Sequence, residues 1–284
     1  MKYSFIGLSK PVASLNNLLK THIKSYRLSH VGETLPLEPG GVFSSNLSAA
    51  ASFAGENDMC VYLTLEELVA SSDIIFIFLP DKSIKNISLT LGKFDARNKI
   101  FCHMSSAFTS DILDFNSKNT YISWHFPYFI KDENDHSLPG RIIAEGYGKK
   151  LDSFNEALGL LSINPFYVSA EEKLMYIAAS TIAKDLPVML EYTAKRLIKY
   201  ALGGHTELSR ELMEMAGNNP GALNSYNPID KDDVDFLARQ LDILDKIGID
   251  EITRLYSSLS AVAACTKDEP SRETERILML TKPR

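Results

Sequence analysis

The chain has 284 residues, a length that suggests two domains with a sizeable core and excludes a small domain held together by disulfides. Its 30 basic and 36 acidic side chains give a net charge of −6, and 45% of the residues are hydrophobic, which is typical of a folded globular protein. Because dense runs of lysine or arginine are absent from the sequence, we expect neither nucleic acid nor an anionic membrane as a partner.

The three cysteines, Cys60, Cys102 and Cys265, are far apart and flanked by apolar or small residues. We predict that they are unpaired core thiols in a reducing compartment. The sequence has no CxxC or HExxH spacing, so we expect no metal site. It also has no signal-peptide pattern and no apolar stretch of roughly 18 residues, and we therefore expect a cytoplasmic protein.

The first part of the chain, residues 1–168, alternates short apolar runs with helical patterns, which predicts a parallel sheet covered by helices on both faces. The strands are predicted at 3–6, 26–30, 60–63, 74–79, 99–104, 121–125 and 141–144. Helices are predicted at 12–19, 47–54, 65–70 and 154–161, and Thr64 with Glu67 forms a capping box. Residues 31–42 contain several prolines and glycines and are predicted to be a loop.

The second part, residues 169–284, has no strand signals and is predicted to be entirely helical. Ser169 and Glu172 form a capping box at the start of a long helix, which Pro187 should interrupt. Further helices are predicted at 206–216, 234–244, 252–262 and 273–280. The acidic residues at 230–235 lack the glycine of a calcium loop and are interpreted as charge at a helix N-terminus.

In an open parallel sheet, ligands bind beside the carboxyl ends of the strands, so the turns after the strands supply the cofactor candidates. In the first turn Gly7 is kept, whereas Ser9 and Val12 replace the later glycines of a dinucleotide-binding motif, which disfavours the usual pyrophosphate position. A lysine beside a helix N-terminus would still attract an anion. The cofactor candidates are Gly7, Leu8, Ser9, Lys10, Pro11, His30, Leu79, Pro80 and Asp81.

Two of these candidates carry more specific expectations. His30 follows the predicted second strand, where a dinucleotide ribose is normally bound, and Asp81 is predicted to cap a helix that begins near residue 83.

Three residues are candidates for catalysis. Ser105 follows a predicted strand and could orient a substrate, His125 is suited to acid–base chemistry near neutral pH, and Lys184 interrupts an apolar helix face. The alternative interpretations are a turn serine, a packed histidine and a salt bridge between Lys184 and Asp185. Trp124, next to His125, is expected at the mouth of the crevice.

Four segments together resemble a known family: 75–81 (IFIFLPD), 102–107 (CHMSSA), 125–129 (HFPYF) and 228–233 (PIDKDD). This is the Rossmann-like family whose helical half is domain of unknown function 2520, related to pyrroline-5-carboxylate reductase and deazaflavin-dependent NADP oxidoreductase. The resemblance implies a Rossmann-like doubly wound α/β domain joined to an all-α domain of the 6-phosphogluconate dehydrogenase type. It also implies a homodimer formed through the helices.

Two hypotheses about function follow from the residues and the resemblance. The first is an oxidoreductase that uses NADP or NAD on a small imine, hydroxy or keto acid, with Lys184 or His125 transferring a proton and Ser105 orienting the substrate. The second is a noncatalytic Rossmann-like dimer that binds a small anion or a protein partner, since a fold does not determine its function.

Overall fold

The computed structural model describes residues 1–126, 142–205, 207–218, 229, 232–265 and 271–282. The chain divides into two compact units, Met1–Ile182 and Ala183–Arg284. The boundary drawn from the sequence, after residue 168, lies one helix earlier, because the first unit also includes the helix that begins at residue 170.

The first unit contains one eight-stranded sheet in the order β3-β2-β1-β4-β5-β6-β7-β8. The strands are β1 Lys2–Ile6, β2 Glu38–Phe43, β3 Cys60–Val61, β4 Ile74–Ile77, β5 Ile100–His103, β6 Thr120–His125, β7 Ile143–Tyr147 and β8 Phe166–Tyr167. Strands β1 to β6 pair in parallel, and β7 is antiparallel to β6. The order 3-2-1-4-5-6 is that of the Rossmann fold, and the predicted fold class is therefore confirmed.

The helices of the first unit alternate with the strands. They are α1 Lys10–Ser29, α2 Leu47–Asn57, α3 Leu65–Ser71, α4 Asp81–Leu91, α5 Leu151–Leu160 and α6 Ala170–Ser180, with a short 3₁₀ helix at Ser110–Leu113. Both predicted capping boxes, Thr64 with Glu67 and Ser169 with Glu172, are confirmed. Each fixes a helix start by satisfying backbone N–H groups that have no partner inside the helix.

The predicted second strand is wrong, because residues 26–30 belong to the end of α1, whose buried face continues through Ile23 and Tyr26. The true β2 lies in the segment predicted to be a loop. Its glycines are required by close packing: a Cβ at Gly40 would lie 2.5 Å from Ser4 Oγ, and a Cβ at Gly41 would lie 2.5 Å from Cys60 O. These glycines mark a close approach of strands rather than a turn.

The sheet has a core on each face, because successive strand residues point to opposite sides. Phe76 and Trp124 pack on one face, and Phe101 and Tyr121 on the other. Trp124 is fully buried and stacks on Phe154, so the expectation that it lines a crevice mouth is wrong. The ring is too large and too apolar to stay in solvent when a core position is within reach.

The prediction of core thiols holds for one cysteine of the three. Cys102 is buried in β5, whereas Cys60 and Cys265 are exposed free thiols. Cys60 lies in the two-residue β3 at the edge of the sheet, where little of the fold covers it.

The second unit follows a π-helical turn at Thr181–Asp185. Its helices are α7 Leu186–Leu202, α8 Glu207–Asn218, α9 Val234–Ile247, α10 Asp250–Cys265 and α11 Arg272–Leu280. The predicted interruption is confirmed, because the regular α-helix breaks just before Pro187, which has no N–H to continue it.

The acidic run before α9 acts as predicted where the structure describes it. Asp233 caps α9 by accepting a hydrogen bond from Phe236 N at 2.9 Å, whereas Asp230 lies outside the described residues. Of the helices that the structure describes, none combines the length and the apolar character needed to cross a bilayer.

Candidate functional site

The strand order reverses between β1 and β4, and a crevice for ligands is expected where these two strands end. Gly7 follows β1 with a φ of +92°, and its N–H donates to Phe43 O at 2.9 Å. A Cβ at this position would lie 2.2 Å from Phe78 O. The first glycine of the turn is therefore kept for a physical reason, since no other residue fits.

The rest of the first turn exposes polar groups at the N-terminus of α1. Ser9 occupies the N-cap position, but its exposed side chain makes no capping hydrogen bond, and Lys10 is exposed beside it. Pro11 stands in the first turn of the helix, and Leu8 packs partly against the core. Val12 is fully buried, so the helix packs well without the third glycine of the motif.

Asp81 joins the turn after β4 to the turn after β5. Helix α4 begins at Asp81 itself, its N-cap is Pro80, and no side-chain cap is present, so the predicted capping role of Asp81 is wrong. Its carboxylate instead accepts a hydrogen bond from Ser105 Oγ at 2.5 Å. Leu79, the remaining candidate in this turn, packs partly against the core.

The turn after β5 is braced by its own residues. Ser105 N donates to His103 Nδ1 at 3.1 Å, and Ala107 N donates to Ser105 Oγ at 3.1 Å. Since His103 Nδ1 accepts, its Nε2 donates to Thr109 O, also at 3.1 Å. Burial lowers the pKa of His103 to about 4, so this imidazole is neutral at pH 7.

His125 ends β6 and pairs with a residue of the same turn. Its Nδ1 lies 3.0 Å from Ser106 Oγ, and its ring meets the Tyr176 ring edge-on at 5.7 Å. The sequence singled out Ser105, but it is Ser106 whose hydroxyl contacts the histidine. An imidazole joined to a hydroxyl and half-buried at the carboxyl edge is a candidate acid–base group.

Lys173, in the first turn of α6, is a residue of this edge that the sequence does not single out as a candidate. This side chain is fully buried, and its ammonium donates to Ser105 O at 3.2 Å, to Phe108 O at 2.6 Å and to Ser123 Oγ. Three acceptors satisfy all three donors of the ammonium group. Burial lowers the pKa of Lys173, and the nearby Glu145 carboxylate opposes that shift.

The hydrophobic pattern of α6 predicts a different buried face from the one that the structure shows. Leu174 and Ile177, which follow the capping residue Ser169, have the spacing that predicts a buried apolar helix face. In the structure Leu174 is 47% exposed, and the residue before it faces inward. Hydrophobic spacing cannot reveal this arrangement, because a buried lysine requires polar partners that are distant in sequence.

His30 does not join the other candidates. It follows α1, where its ring stacks on Tyr26 with 4.1 Å between the ring centroids. Helix α1 starts at the carboxyl end of β1 and returns across the sheet. Its C-terminus therefore lies at the opposite edge, near the start of the chain, where the Met1 ammonium donates to Pro36 O. The error in placing β2 therefore also misplaced this candidate.

The turn after the true β2 consists of residues 44–46 and contains no carboxylate. In it, Asn46 caps α2 by accepting a hydrogen bond from Ala49 N at 3.1 Å. Lys184 lies in the π-helical turn and belongs to the second unit.

Comparisons with known proteins identify the fold. No protein-family model and no curated protein matches the chain. Many solved structures do, including protein TM1727 from Thermotoga maritima, with a TM-score of 0.67 and 19% identity over 92% of this chain and 96% of that one. The fold is that of the Rossmann-like dehydrogenases.

Two further matches are enzymes or cofactor-binding proteins by name. An imine reductase from Aspergillus terreus, solved with NADPH4 and dibenz[c,e]azepine, has a TM-score of 0.55 and 15% identity over 99% of this chain and 92% of that one. A semialdehyde dehydrogenase NAD-binding protein from Cupriavidus necator, solved with calcium and NAD, has a TM-score of 0.56 and 15% identity over 90% and 98%. At these identities the similarity establishes the fold.

Proposed function

We propose that the protein is an NAD(P)-dependent oxidoreductase that acts on a small imine, hydroxy or keto acid. The observation that supports this proposal is the pairing of His125 with Ser106 at the same edge of the sheet as the Gly7 turn. An acid–base group and a turn of the nucleotide-binding type therefore lie along one edge of the crevice. We also propose membership of the family with domain of unknown function 2520, on the motifs quoted above.

The cofactor would lie along the carboxyl edge of the sheet. The N-terminus of α1, the uncommitted Ser9 hydroxyl and the Lys10 ammonium would bind a pyrophosphate. The Leu79–Asp81 turn lies beside it at the strand reversal. A carboxylate after β2 normally binds the ribose 2′-hydroxyl of NAD. Because residues 44–46 have hydroxyl and amide side chains instead, we propose NADP as the preferred cofactor.

A nicotinamide cofactor supplies or accepts a hydride. In the direction of imine or carbonyl reduction, His125 would donate the proton that the substrate nitrogen or oxygen gains, while Ser106 holds the imidazole. Ser105 contributes by fixing the loop through Asp81. Lys184 stays a candidate for the proton transfer.

The first experiment measures cofactor binding by calorimetric titration with NADPH and NADH. We expect saturable binding that is tighter for NADPH. Lys10→Ala should weaken it on the order of tenfold, since a charge-assisted hydrogen bond contributes about 1.5 to 3 kcal/mol. Lys24→Ala, an exposed lysine further along α1, is the matched control. His125→Asn should leave binding unchanged while lowering turnover about 10²- to 10⁴-fold.

The noncatalytic alternative is favoured by one feature, the side chain at Ser9 where the motif has glycine. Ser9→Gly isolates this effect, whereas replacing the buried Val12 would open a cavity. If neither cofactor binds and the melting temperature does not change for either protein, wild type or Ser9→Gly, the noncatalytic binding module is the better explanation.

We further propose that the protein is a homodimer through its helical unit. Among the described residues of α7 none is buried, and Val188, Met189 and Tyr192 are 63 to 64% exposed. A continuous apolar surface of this kind normally meets a partner. We expect sedimentation analysis to give a dimer that Met189→Glu dissociates. Met279→Glu, at an equally exposed methionine of α11, is the control, and dissociation by both or by neither variant would contradict an α7 interface.

A further inference from the structure

The turn after β5, residues 105–109, is held by buried side chains on both sides. Lys173 donates hydrogen bonds to the carbonyls of Ser105 and Phe108. His103 accepts a hydrogen bond from the Ser105 N–H and donates one to the Thr109 carbonyl. The two partners lie in different elements, α6 and β5, and both are fully buried. These hydrogen bonds therefore fix the directions of the backbone carbonyl and N–H groups of the turn, as well as its position.

The direction of one free backbone group follows from peptide geometry. In a planar trans peptide the C=O and the following N–H point opposite ways, and the described residues contain no cis peptide. Because the Ser105 carbonyl points at Lys173, the Ser106 N–H points away from it. Among the described residues this N–H has no acceptor, although Ser106 is half-buried at the carboxyl edge. A partly buried donor without a protein acceptor is available to bind a ligand or water.

We propose that Lys173 is a positioning residue that turns the Ser106 N–H to the open side of the loop, where this N–H binds an oxygen of a substrate carboxylate. The inference rests on the proposed function and names the group that would bind the carboxylate of the acid. The Ser106 hydroxyl, 3.0 Å from His125 Nδ1, sets the acid–base group beside the same point.

Because the charges around the turn oppose one another, the hydrogen bond from the Ser106 N–H is the main source of specificity for a carboxylate. The Lys173 ammonium behind the loop favours an anion, whereas the carboxylates near it, those of Glu145, Asp81 and Asp111, oppose one. Asp81 Oδ1 accepts the Ser105 hydroxyl, and among the described residues the Ser106 N–H makes no hydrogen bond to this carboxylate.

The test compares two carbonyl probes of similar size, anionic pyruvate and neutral acetone, in ¹⁵N-labelled protein with and without NADP⁺. Pyruvate should displace the Ser106 amide resonance saturably, and acetone should leave it in place. Lys173→Met, which removes the donors, should weaken pyruvate binding at least tenfold without changing the NADP⁺ affinity. Ser123→Ala, which removes one acceptor of Lys173 and leaves both loop carbonyls, should change it less than threefold.

A merely structural role for Lys173 would alter stability and leave the preference for pyruvate over acetone unchanged, and that result overturns the proposal. If Lys173→Met does not fold, the wild-type protein decides: an unmoved Ser106 amide at saturating pyruvate refutes the inference. Displacement of that amide without any NADP⁺ or NADPH binding would support the carboxylate site and refute the oxidoreductase, so the two failures are distinguishable.

Discussion

The two compact units bury their apolar residues to very different degrees. In the first unit all four residues of β4 are buried, and the sheet has a complete core on each face. In the second, the described core cluster centres on five buried residues, Ile229, Val234, Leu237, Ala264 and Ile277, while α7 has none. We infer that the first unit is stable by itself, whereas the second relies on surface that another molecule must cover.

The largest effect is expected at the turn that closes β1. Gly7→Ala should lower the free energy of unfolding by about 3 to 5 kcal/mol, because a methyl group collides with Phe78 O in a backbone conformation that alanine avoids. Gly32→Ala has a similar φ of +89° but open space around it, so it should cost about 1 kcal/mol. Urea unfolding followed by fluorescence of the single tryptophan, Trp124, measures both. Equal losses would contradict the collision.

Acid should weaken the first unit through His103, whose pKa is about 4 in the folded state against an ordinary 6.5. Between these values the unfolded chain binds the extra proton, so stability is complete above pH 6.5 and falls as the pH drops toward 4. The loss is about 3 kcal/mol at most. His103→Asn should flatten this part of the stability profile, measured by urea unfolding at several pH values. Parallel profiles for the two proteins would rule out the contribution.

Helix caps compare the two units directly. Thr64→Ala in the first unit and Asp233→Ala in the second should each cost about 1 kcal/mol, because each removes one capping acceptor. If the units unfold separately, the first substitution shifts the Trp124 fluorescence transition, and the second shifts only part of the helical circular-dichroism signal. A shift of both signals by both variants would mean that the protein unfolds in one step.

The smallest effect on the folded monomer is expected on α7. Tyr192→Ala should change the free energy of unfolding by less than about 0.5 kcal/mol, because the side chain is 64% exposed. Leu237→Ala, at a fully buried position of α9, should cost about 2 to 5 kcal/mol. Urea unfolding at low protein concentration, where a dimer dissociates, gives the comparison. A large loss for Tyr192→Ala under those conditions would mean that α7 is covered within the monomer.

The sequence predicted the parts of the fold that depend on local patterns. Strand β4 is a continuous apolar run, strands β1, β5 and β6 are largely apolar, and the capping boxes have fixed spacing. Strand β2 escaped prediction because its glycines respond to atoms of β1 and β3, which no local pattern reveals. His30 was misplaced for the same reason.

The candidate site was predictable as a set of turns but not as a set of contacts. His125 lies at the carboxyl edge as expected, whereas Ser106, the serine that contacts it, was not among the candidates. The bond of Asp81 to Ser105 and the burial of Lys173 join residues 24 and 68 positions apart. Such pairs depend on tertiary structure, which brings together polar groups that cannot be buried alone.

Both margins of the eight-stranded sheet are very short. Strand β3 at one margin and β8 at the other have two residues each, so few backbone N–H and C=O groups are open to a foreign strand. Short margins of this kind resist the strand-by-strand stacking that leads to fibrils. Growth of this sheet into an extended β-structure is therefore disfavoured at the positions of β3 and β8.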